Sequence, residues 1–224
     1  SVCAPHGNTG EMLSRSESRH YFHSLSSPDF AIVHHSQLLQ RMVMGSICVF
    51  CGSRTGRLPL YAETAAEFGR FLASAGHTLV YGGGSTGIMG VLADTVLAEN
   101  GHVIGVITEH LARPELMHAG VADMRIMRDM HERKSCMHEL AALYVALPGG
   151  YGTLEELFEA VTWAQLELHS TPVALLNTGG IYDGVIQVLN TMADEQFLTG
   201  DCRRLMHVFA DVPQLVAWIQ SRLA

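Results

Sequence analysis

Short apolar runs alternate with longer amphipathic stretches from Ser46 onward, and no other feature constrains the fold as strongly. The apolar runs are continuously hydrophobic, as strands that are buried on both faces require. The amphipathic stretches have the length and the period of surface helices. Strands that alternate with helices form a parallel sheet with helices on both faces. The sequence therefore predicts one doubly wound, mostly parallel α/β domain over 45–224, with a Rossmann-like fold.

The individual elements are predicted from the same pattern. The predicted strands are 46–51, 77–81, 102–107, 123–127, 143–147, 172–176 and 206–210. The predicted helices are 59–75, 88–100, 130–141, 153–168, 181–195 and 212–223. In a doubly wound sheet, ligands bind beyond the carboxyl ends of the strands. We therefore expect the functional residues in the loops that follow strands.

Residues 1–44 differ in character from the rest of the chain. They are rich in serine and histidine and have no sustained hydrophobic period. An apolar run begins just after Met44, as it would after a natural start codon. We interpret 1–44 as a leader or an extension and predict that it is poorly ordered.

The charge balance limits the partners of the chain. There are 14 basic and 22 acidic residues, which gives a net charge of -8. Binding to nucleic acid requires neutralisation of many phosphates by Lys and Arg, so we expect no nucleic-acid partner. No run of about 18 apolar residues occurs, so we expect no membrane partner either. A small anionic ligand stays compatible, because a few local donors bind it against the net charge.

The cysteines and histidines give no sign of a disulfide framework or of a metal site. The five cysteines are an odd number at scattered spacings, which favours a reducing, cytoplasmic location. Cys48 and Cys51 form a C-x-x-C pair, but an offset of three places them on opposite faces of a strand. No second pair follows, and the histidines show no H-E-x-x-H spacing. We therefore predict no metal ligands.

Three glycine-rich loops follow predicted strands at one edge of the sheet. They are C-G-S-R-T-G at 51–56, G-G-G-S-T-G at 82–87 and P-G-G-Y-G-T at 148–153. Glycine lets the backbone approach a ligand closely, and the free amides at a helix start bind anions. One such loop is equally typical of a tight strand-to-helix turn. Three loops together favour a phosphate-binding site.

Charged residues lie at two predicted helix starts. Glu155, Glu156 and Glu159 follow the third glycine-rich loop, where the helix dipole favours acidic residues. Glu156 and Glu159 are three residues apart and share a helix face. Arg133 and Lys134 begin another helix, where the dipole disfavours cations. That cost is tolerable if they face an anion or a carboxylate, and salt-bridged surface charges are the alternative.

Four motifs occur in a fixed order along the chain. They are V-F-C-G-S at 49–53, Y-G-G-G at 81–84, M-x-x-R-K at 130–134 and P-G-G-x-G-T-x-x-E at 148–156. Together they resemble the LONELY GUY (LOG) family of cytokinin riboside 5′-monophosphate phosphoribohydrolases, and the resemblance covers about 45–224. Arg54 and Thr55 depart from the family pattern, in which small residues are common at these positions. We expect this difference to alter the rim of the pocket.

The resemblance implies hydrolysis of the N-glycosidic bond of cytokinin riboside or purine nucleoside 5′-monophosphates, such as AMP. The products are the free base and ribose 5-phosphate, and no cofactor is needed. The resemblance also implies that Glu156 and Arg133 are the catalytic pair. Departure of the base leaves an oxocarbenium-like sugar, which a carboxylate stabilises. Arg133 is expected to keep Glu156 ionised, because a nearby cation lowers the pKa of a carboxylate.

The family motifs also imply a set of substrate-binding residues. The set is Ser53, Gly83, Gly84, Ser85, Thr86, Met130, Lys134, Gly149, Gly150, Tyr151, Gly152, Thr153 and Glu159. Within it, Gly150, Gly152 and Thr153 are predicted to bind phosphate through their amides and the threonine hydroxyl. The 83–86 segment is predicted to complete the site, and Ser53 to hold the ribose or the phosphate.

Members of this family are commonly dimers or larger assemblies, so the resemblance implies at least a homodimer. The predicted helix at 153–168 is apolar enough to contribute to an interface. Its apolar side chains are Phe158, Val161, Trp163 and Leu166. Burial of these side chains in the core is the alternative.

Two other functions stay open at this stage. One is a nucleotide-binding module without turnover, in which Glu156 and Arg133 are structural. The other is a dinucleotide-dependent oxidoreductase, because 82–87 fits G-x-G-x-x-G and Glu109 follows it. A lysine decarboxylase, a label that some relatives have carried, needs a Schiff-base lysine. The chain has one lysine, Lys134, and the motif places it beside Arg133.

Overall fold

The computed structural model describes residues 45–223, and the interpretation of 1–44 as a leader lies outside the described residues. Within them, seven parallel strands form one sheet with the order β4-β3-β2-β1-β5-β6-β7. The strands are β1 (Ser46–Phe50), β2 (Thr78–Tyr81), β3 (Val103–Thr108), β4 (Asp123–Met127), β5 (Leu143–Ala146), β6 (Val173–Leu176) and β7 (Met206–Phe209). The predicted doubly wound, parallel α/β fold is confirmed.

The helices lie where the amphipathic stretches predicted them. They are α1 (Pro59–Ser74), α2 (Gly87–Ala98), α3 (Met130–Leu140), α4 (Tyr151–Gln165), α5 (Asp183–Asp194), α6 (Gly200–Arg203) and α7 (Val212–Leu223). A short 3-10 turn at Thr178–Gly180 and the one-turn α6 were not predicted, because they are too short to show a period. The α4 helix ends at Gln165 rather than at 168, since Glu167 has a left-handed φ of 58°.

The sheet separates two layers of apolar side chains. Alternate residues of β1 point to opposite faces, so Ile47 and Val49 join one layer while Cys48 and Phe50 join the other. The first layer packs against α1, α2 and α7. The second packs against α3, α4 and α5. Burial on both faces explains why the central strands β1, β2, β5 and β6 are apolar without alternation.

The strand order reverses between β1 and β5, and this position sets the location of the site. The chain enters the sheet at β1, adds β2, β3 and β4 on one side, and then adds β5, β6 and β7 on the other. Crossover connections therefore leave in opposite directions above the ends of β1 and β5, which opens a crevice there. No helix within residues 45–223 is both long and apolar enough to cross a lipid bilayer.

Candidate active site

The three glycine-rich loops meet at the carboxyl edge of the sheet. The amide of Gly52 in the first loop donates to the carbonyl of Pro148 in the third, at 3.1 Å. The hydroxyl of Thr86 in the second loop donates to the carbonyl of Ser53, at 3.2 Å. The first loop is therefore held between the other two. Its rim residue Arg54 is exposed, where the sequence predicted a changed pocket edge.

The third loop places free amides beside open space. Because α4 begins at Tyr151, the amides of its first turn have no partner within the helix. Apart from its own chain neighbours and the adjacent helix backbone, no atom of residues 45–223 lies within 4 Å of a Cβ built on Gly150 or on Gly152. The aligned peptides add partial positive charge at this helix start. These amides can therefore receive an anion such as a phosphate.

The hydroxyl of Thr153 lies below this loop rather than at its surface. Thr153 is buried, and its Oγ1 has no hydrogen-bond partner among residues 45–223. A Cβ on Gly149 would lie only 2.0 Å from this oxygen, so the loop packs closely over it. The amide of Thr153 belongs to the first turn of α4, whereas its hydroxyl packs under the loop.

The hydroxyls of the second loop hold the loop itself. Ser85 donates its amide and its hydroxyl to the carbonyl of Leu116, at 2.8 and 3.1 Å. Gly83 has a left-handed φ of 74°, and its carbonyl accepts from the amide of His118 at 3.0 Å. The 109–122 segment between β3 and β4 thus packs on the second loop. The sequence pattern did not predict this contact, because the segment has no periodic signal of its own.

A buried ion pair joins α3 to α4 at the same edge. Nη1 of Arg133 lies 2.8 Å from Oε1 of Glu156, and both side chains are nearly enclosed, at 11% and 12% exposure. Nε of Arg133 donates to the carbonyl of Val106 in β3 at 3.0 Å, and Nη1 lies 3.3 Å from the sulfur of Met130. A Cβ on Gly82 would lie 2.7 Å from Nη2. The guanidinium is therefore fixed between a strand, a glycine-rich loop and a carboxylate.

The protonation of Glu156 depends on two opposing effects. Burial raises the pKa of Glu156, and the adjacent Arg133 guanidinium lowers it by a smaller amount. The cation acts in the direction that the sequence predicted, but burial outweighs it. A carboxylate with a raised pKa is suited to take up a proton during a reaction.

A second group of ion pairs lies beside the buried ion pair. Nζ of Lys134 lies 2.7 Å from Oε1 of Glu155 and 2.9 Å from Oε1 of Glu159. Lys134 is 14% exposed, so these contacts are more than a solvated surface pair. Partial burial lowers the pKa of Lys134, but the hydrogen bonds that its Nζ donates to both carboxylates outweigh burial and raise this pKa. A Schiff base forms from the neutral amine, so this environment disfavours decarboxylase chemistry at the one lysine of the chain.

The predicted site residues thus fall into groups with different positions. The three loops and the buried ion pair lie together at the switch point of the sheet. Tyr151 is 95% exposed and Met130 is 45% exposed at the rim. Lys134 and Glu159 contact each other. Within residues 45–223, no three His, Cys, Asp or Glu side chains converge as metal ligands would.

Comparison with known proteins adds independent findings. Residues 89–219 match a family model described as a possible lysine decarboxylase. A probable cytokinin riboside 5′-monophosphate phosphoribohydrolase of Oryza sativa subsp. japonica is 46% identical over 162 residues, which cover 72% of this chain and 73% of the relative. A cytokinin riboside 5′-monophosphate phosphoribohydrolase of Arabidopsis thaliana is 41% identical over 187 residues, which cover 84% and 87%.

Solved structures also share the fold. The molybdenum cofactor carrier protein of Chlamydomonas reinhardtii superposes with a TM-score of 0.61 at 23% identity, over 80% of this chain and 98% of that chain. The molybdenum cofactor binding protein of Rippkaea orientalis superposes with a TM-score of 0.60 at 19% identity, over 81% and 98%. At these identities the likeness concerns the fold alone.

Proposed function

We propose that this chain, which belongs to the LONELY GUY (LOG) family of cytokinin riboside 5′-monophosphate phosphoribohydrolases, is an N-glycosidase that releases the free base from cytokinin riboside 5′-monophosphates. Ribose 5-phosphate is the second product. The observation that carries the proposal is the buried contact of Arg133 with Glu156 beside three glycine-rich loops. A lone phosphate-binding site needs no such carboxylate.

The buried ion pair supplies the chemistry of bond cleavage. As the base departs, positive charge develops on the sugar, and the carboxylate of Glu156 stabilises it. The raised pKa of Glu156 also suits this carboxylate to take a proton from the attacking water. Arg133 keeps the carboxylate in one orientation through the 2.8 Å contact. Both roles require a nearly dry site, in which electrostatic interactions are strong.

The glycine-rich loops supply substrate binding. The free amides of the first turn of α4 bind the 5′-phosphate in the open space beside Gly150 and Gly152. Ser53 contacts the ribose, and Tyr151 lies at the rim of the pocket. Both side chains are exposed. The backbone of 83–86 completes the cradle, while its hydroxyls brace the loop. Binding energy from the phosphate orients the sugar toward Glu156.

We further propose that purine nucleoside 5′-monophosphates such as AMP are substrates, because the proposed site binds the ribose and the phosphate, which AMP shares. Chromatography of released base will test this with AMP and isopentenyladenosine 5′-monophosphate, and with adenosine and ATP as controls. We expect base from both monophosphates and none from adenosine, which lacks the phosphate. Release from isopentenyladenosine monophosphate alone would refute the AMP proposal. Release from neither would favour a nucleotide-binding module without hydrolysis.

A homodimer is proposed from the apolar surface of α4 and α5. Within the described chain no residue of α5 is fully buried, although one of its faces is apolar. Val185, Ile186 and Leu189 are only partly buried against the core. The exposed side chains on this surface are Phe158, Ile181, Val188, Met192 and Phe197. Trp163, which was predicted for this interface, is half-buried and stacks on His138 instead. A contiguous apolar surface of this kind is typical of an interface.

We expect light scattering, measured as the protein elutes from a size-exclusion column, to give the mass of at least a dimer. Val188→Arg should reduce that mass to a monomer, because a charge buried without a partner costs several kcal/mol. Ile126→Arg is the matched control, since Ile126 is 52% exposed and Val188 is 51% exposed, and Ile126 lies on the opposite edge strand. A monomeric wild type, or equal effects of both substitutions, would contradict this interface.

A cytoplasmic location is proposed from the thiols. Cys48, Cys51, Cys136 and Cys202 are all free in the described part of the chain. Free thiols are typical of proteins in a reducing compartment.

A further inference from the structure

A chain of hydrogen bonds behind the buried ion pair is left unexplained by the proposed function. It begins in β5, where the hydroxyl of Tyr144 lies 2.6 Å from Nδ1 of His138 in the last turn of α3. Nε2 of His138 lies 3.4 Å from Oε2 of Glu159. The other oxygen of that carboxylate lies 2.9 Å from Nζ of Lys134. The chain thus connects a buried strand to both helices that carry the buried ion pair.

The direction of these bonds follows from protonation. Burial lowers the pKa of His138, so its imidazole is neutral at neutral pH and has a single N–H. The carboxylate of Glu159 can only accept, which places the proton on Nε2. Nδ1 then accepts from the hydroxyl of Tyr144. The hydrogen bonds therefore run in one direction, because Tyr144 donates to His138 and His138 donates to Glu159.

Close packing fixes His138 at this position. Its ring stacks on that of Trp163 in α4, with 4.3 Å between centroids, and meets the Tyr144 ring edge-on at 5.3 Å. The side chain of His138 is only 11% exposed. A small cavity that His138 lines together with Lys134, Glu156 and Glu159 has no room for a water molecule. His138 therefore packs on its neighbours without intervening water, and a shift of its ring passes to them.

Lys134 and Glu155 connect this chain to the buried ion pair. Lys134 follows Arg133 on α3, and Glu155 precedes Glu156 on α4. Nζ of Lys134 lies 2.7 Å from Oε1 of Glu155. Because each of these residues shares a backbone with a member of the pair, a change in the Lys134 contacts shifts α3 against α4. Such a shift alters the 2.8 Å contact on which the chemistry depends.

We infer that His138 is a positioning residue, which fixes α3 against α4 through Glu159 and Lys134 and so holds the buried ion pair in its working geometry. The inference rests on the proposed function and adds to it a residue outside the family motifs. The contacts of His138 are with α4 and β5 rather than with the glycine-rich loops. The inference therefore predicts an effect on turnover and little effect on substrate binding.

His138→Leu removes both hydrogen bonds and is expected to lower kcat about tenfold, with KM within about twofold of wild type. His138→Gln retains a side-chain N–H that can donate to Glu159, so it should recover most of the lost kcat. Steady-state kinetics with isopentenyladenosine 5′-monophosphate will measure both variants. A merely structural role would lower the unfolding temperature without this split between kcat and KM.

His207→Leu is the matched control, because His207 also packs against a tryptophan, Trp218, with 4.8 Å between tilted rings, and burial also lowers its pKa. We expect this variant to lose thermal stability but to keep the kcat of wild type. Wild-type kcat in His138→Leu, or equal losses in the leucine and glutamine variants, would overturn the positioning role. Absence of turnover in the wild-type protein would overturn the proposed function instead.

Discussion

Glu156→Gln is expected to lower kcat by about a thousandfold, because it removes the negative charge that stabilises the developing cation on the sugar. The amide keeps the shape of the side chain and can still accept from Arg133, which lies 2.8 Å away. Substrate binding through the glycine-rich loops should persist, so KM should change much less than kcat. Single-turnover release of base measures the chemical step directly.

Stability must be measured on the same variant. Loss of one partner leaves the guanidinium of Arg133 buried without a counter-charge, which costs about 3 kcal/mol or more in comparable pairs. Urea unfolding of Glu156→Gln will show whether the protein is still folded under assay conditions. Glu132→Gln is a suitable control, because Glu132 in α3 pairs with Arg128 at the protein surface, one residue before Arg133. A folded Glu156→Gln protein with more than a tenth of wild-type kcat would assign the chemistry to another group.

The same carboxylate sets the expected pH dependence. Burial raises the pKa of Glu156, and the form that stabilises the sugar cation is the ionised one. As the pH falls through this raised pKa, the carboxylate takes up a proton and loses its charge. We therefore expect kcat/KM to decline at a higher pH than an exposed glutamate would give. The residual activity of Glu156→Gln should lack this decline.

The fold was predictable because it depends on local patterns. Continuous apolar runs indicate the central strands, and glycines at 76 and 101 indicate the ends of α1 and α2. The sequence does not predict the one-turn α6, since four residues are too few to show a helical period. The strand order depends on which edge of β1 each later strand joins, since β2 pairs with one edge and β5 with the other. No local sequence pattern encodes this pairing. General rules for parallel sheets predict a site at the carboxyl edge, and the three glycine-rich loops meet at that edge.

The candidate site was less predictable, because its details depend on contacts between distant segments. The 83–86 segment is predicted to complete the site, but the sequence does not show that the Ser85 and Thr86 hydroxyls donate to carbonyls of other segments. The pKa of Glu156 depends on burial, which sequence spacing does not report. His138 had no motif to mark it, and only the packing of α3 on α4 brings it near Glu159. The sequence motifs therefore predict which segments come together at the site, but not which atoms each side chain contacts.

Two glycines in one loop should respond in opposite ways to the same substitution. A Cβ on Gly149 would lie 2.0 Å from Oγ1 of Thr153 and 2.8 Å from the amide nitrogen of Gly52. Gly149→Ala must therefore displace backbone, and we expect it to lower the free energy of unfolding by about 2–3 kcal/mol. Urea unfolding monitored by circular dichroism will measure this loss.

Gly152→Ala should leave the fold intact and weaken the site. In the described part of the chain, no atom outside the neighbouring backbone lies within 4 Å of a Cβ at Gly152, and the residue lies in the first turn of α4. Alanine there should stabilise the protein by up to about 1 kcal/mol, because glycine is the poorer helix former. The added methyl group would fill the space proposed for the phosphate, so KM for the nucleotide should rise about tenfold or more. If KM is unchanged in a fully stable Gly152→Ala protein, the phosphate does not bind in the open space at the start of α4.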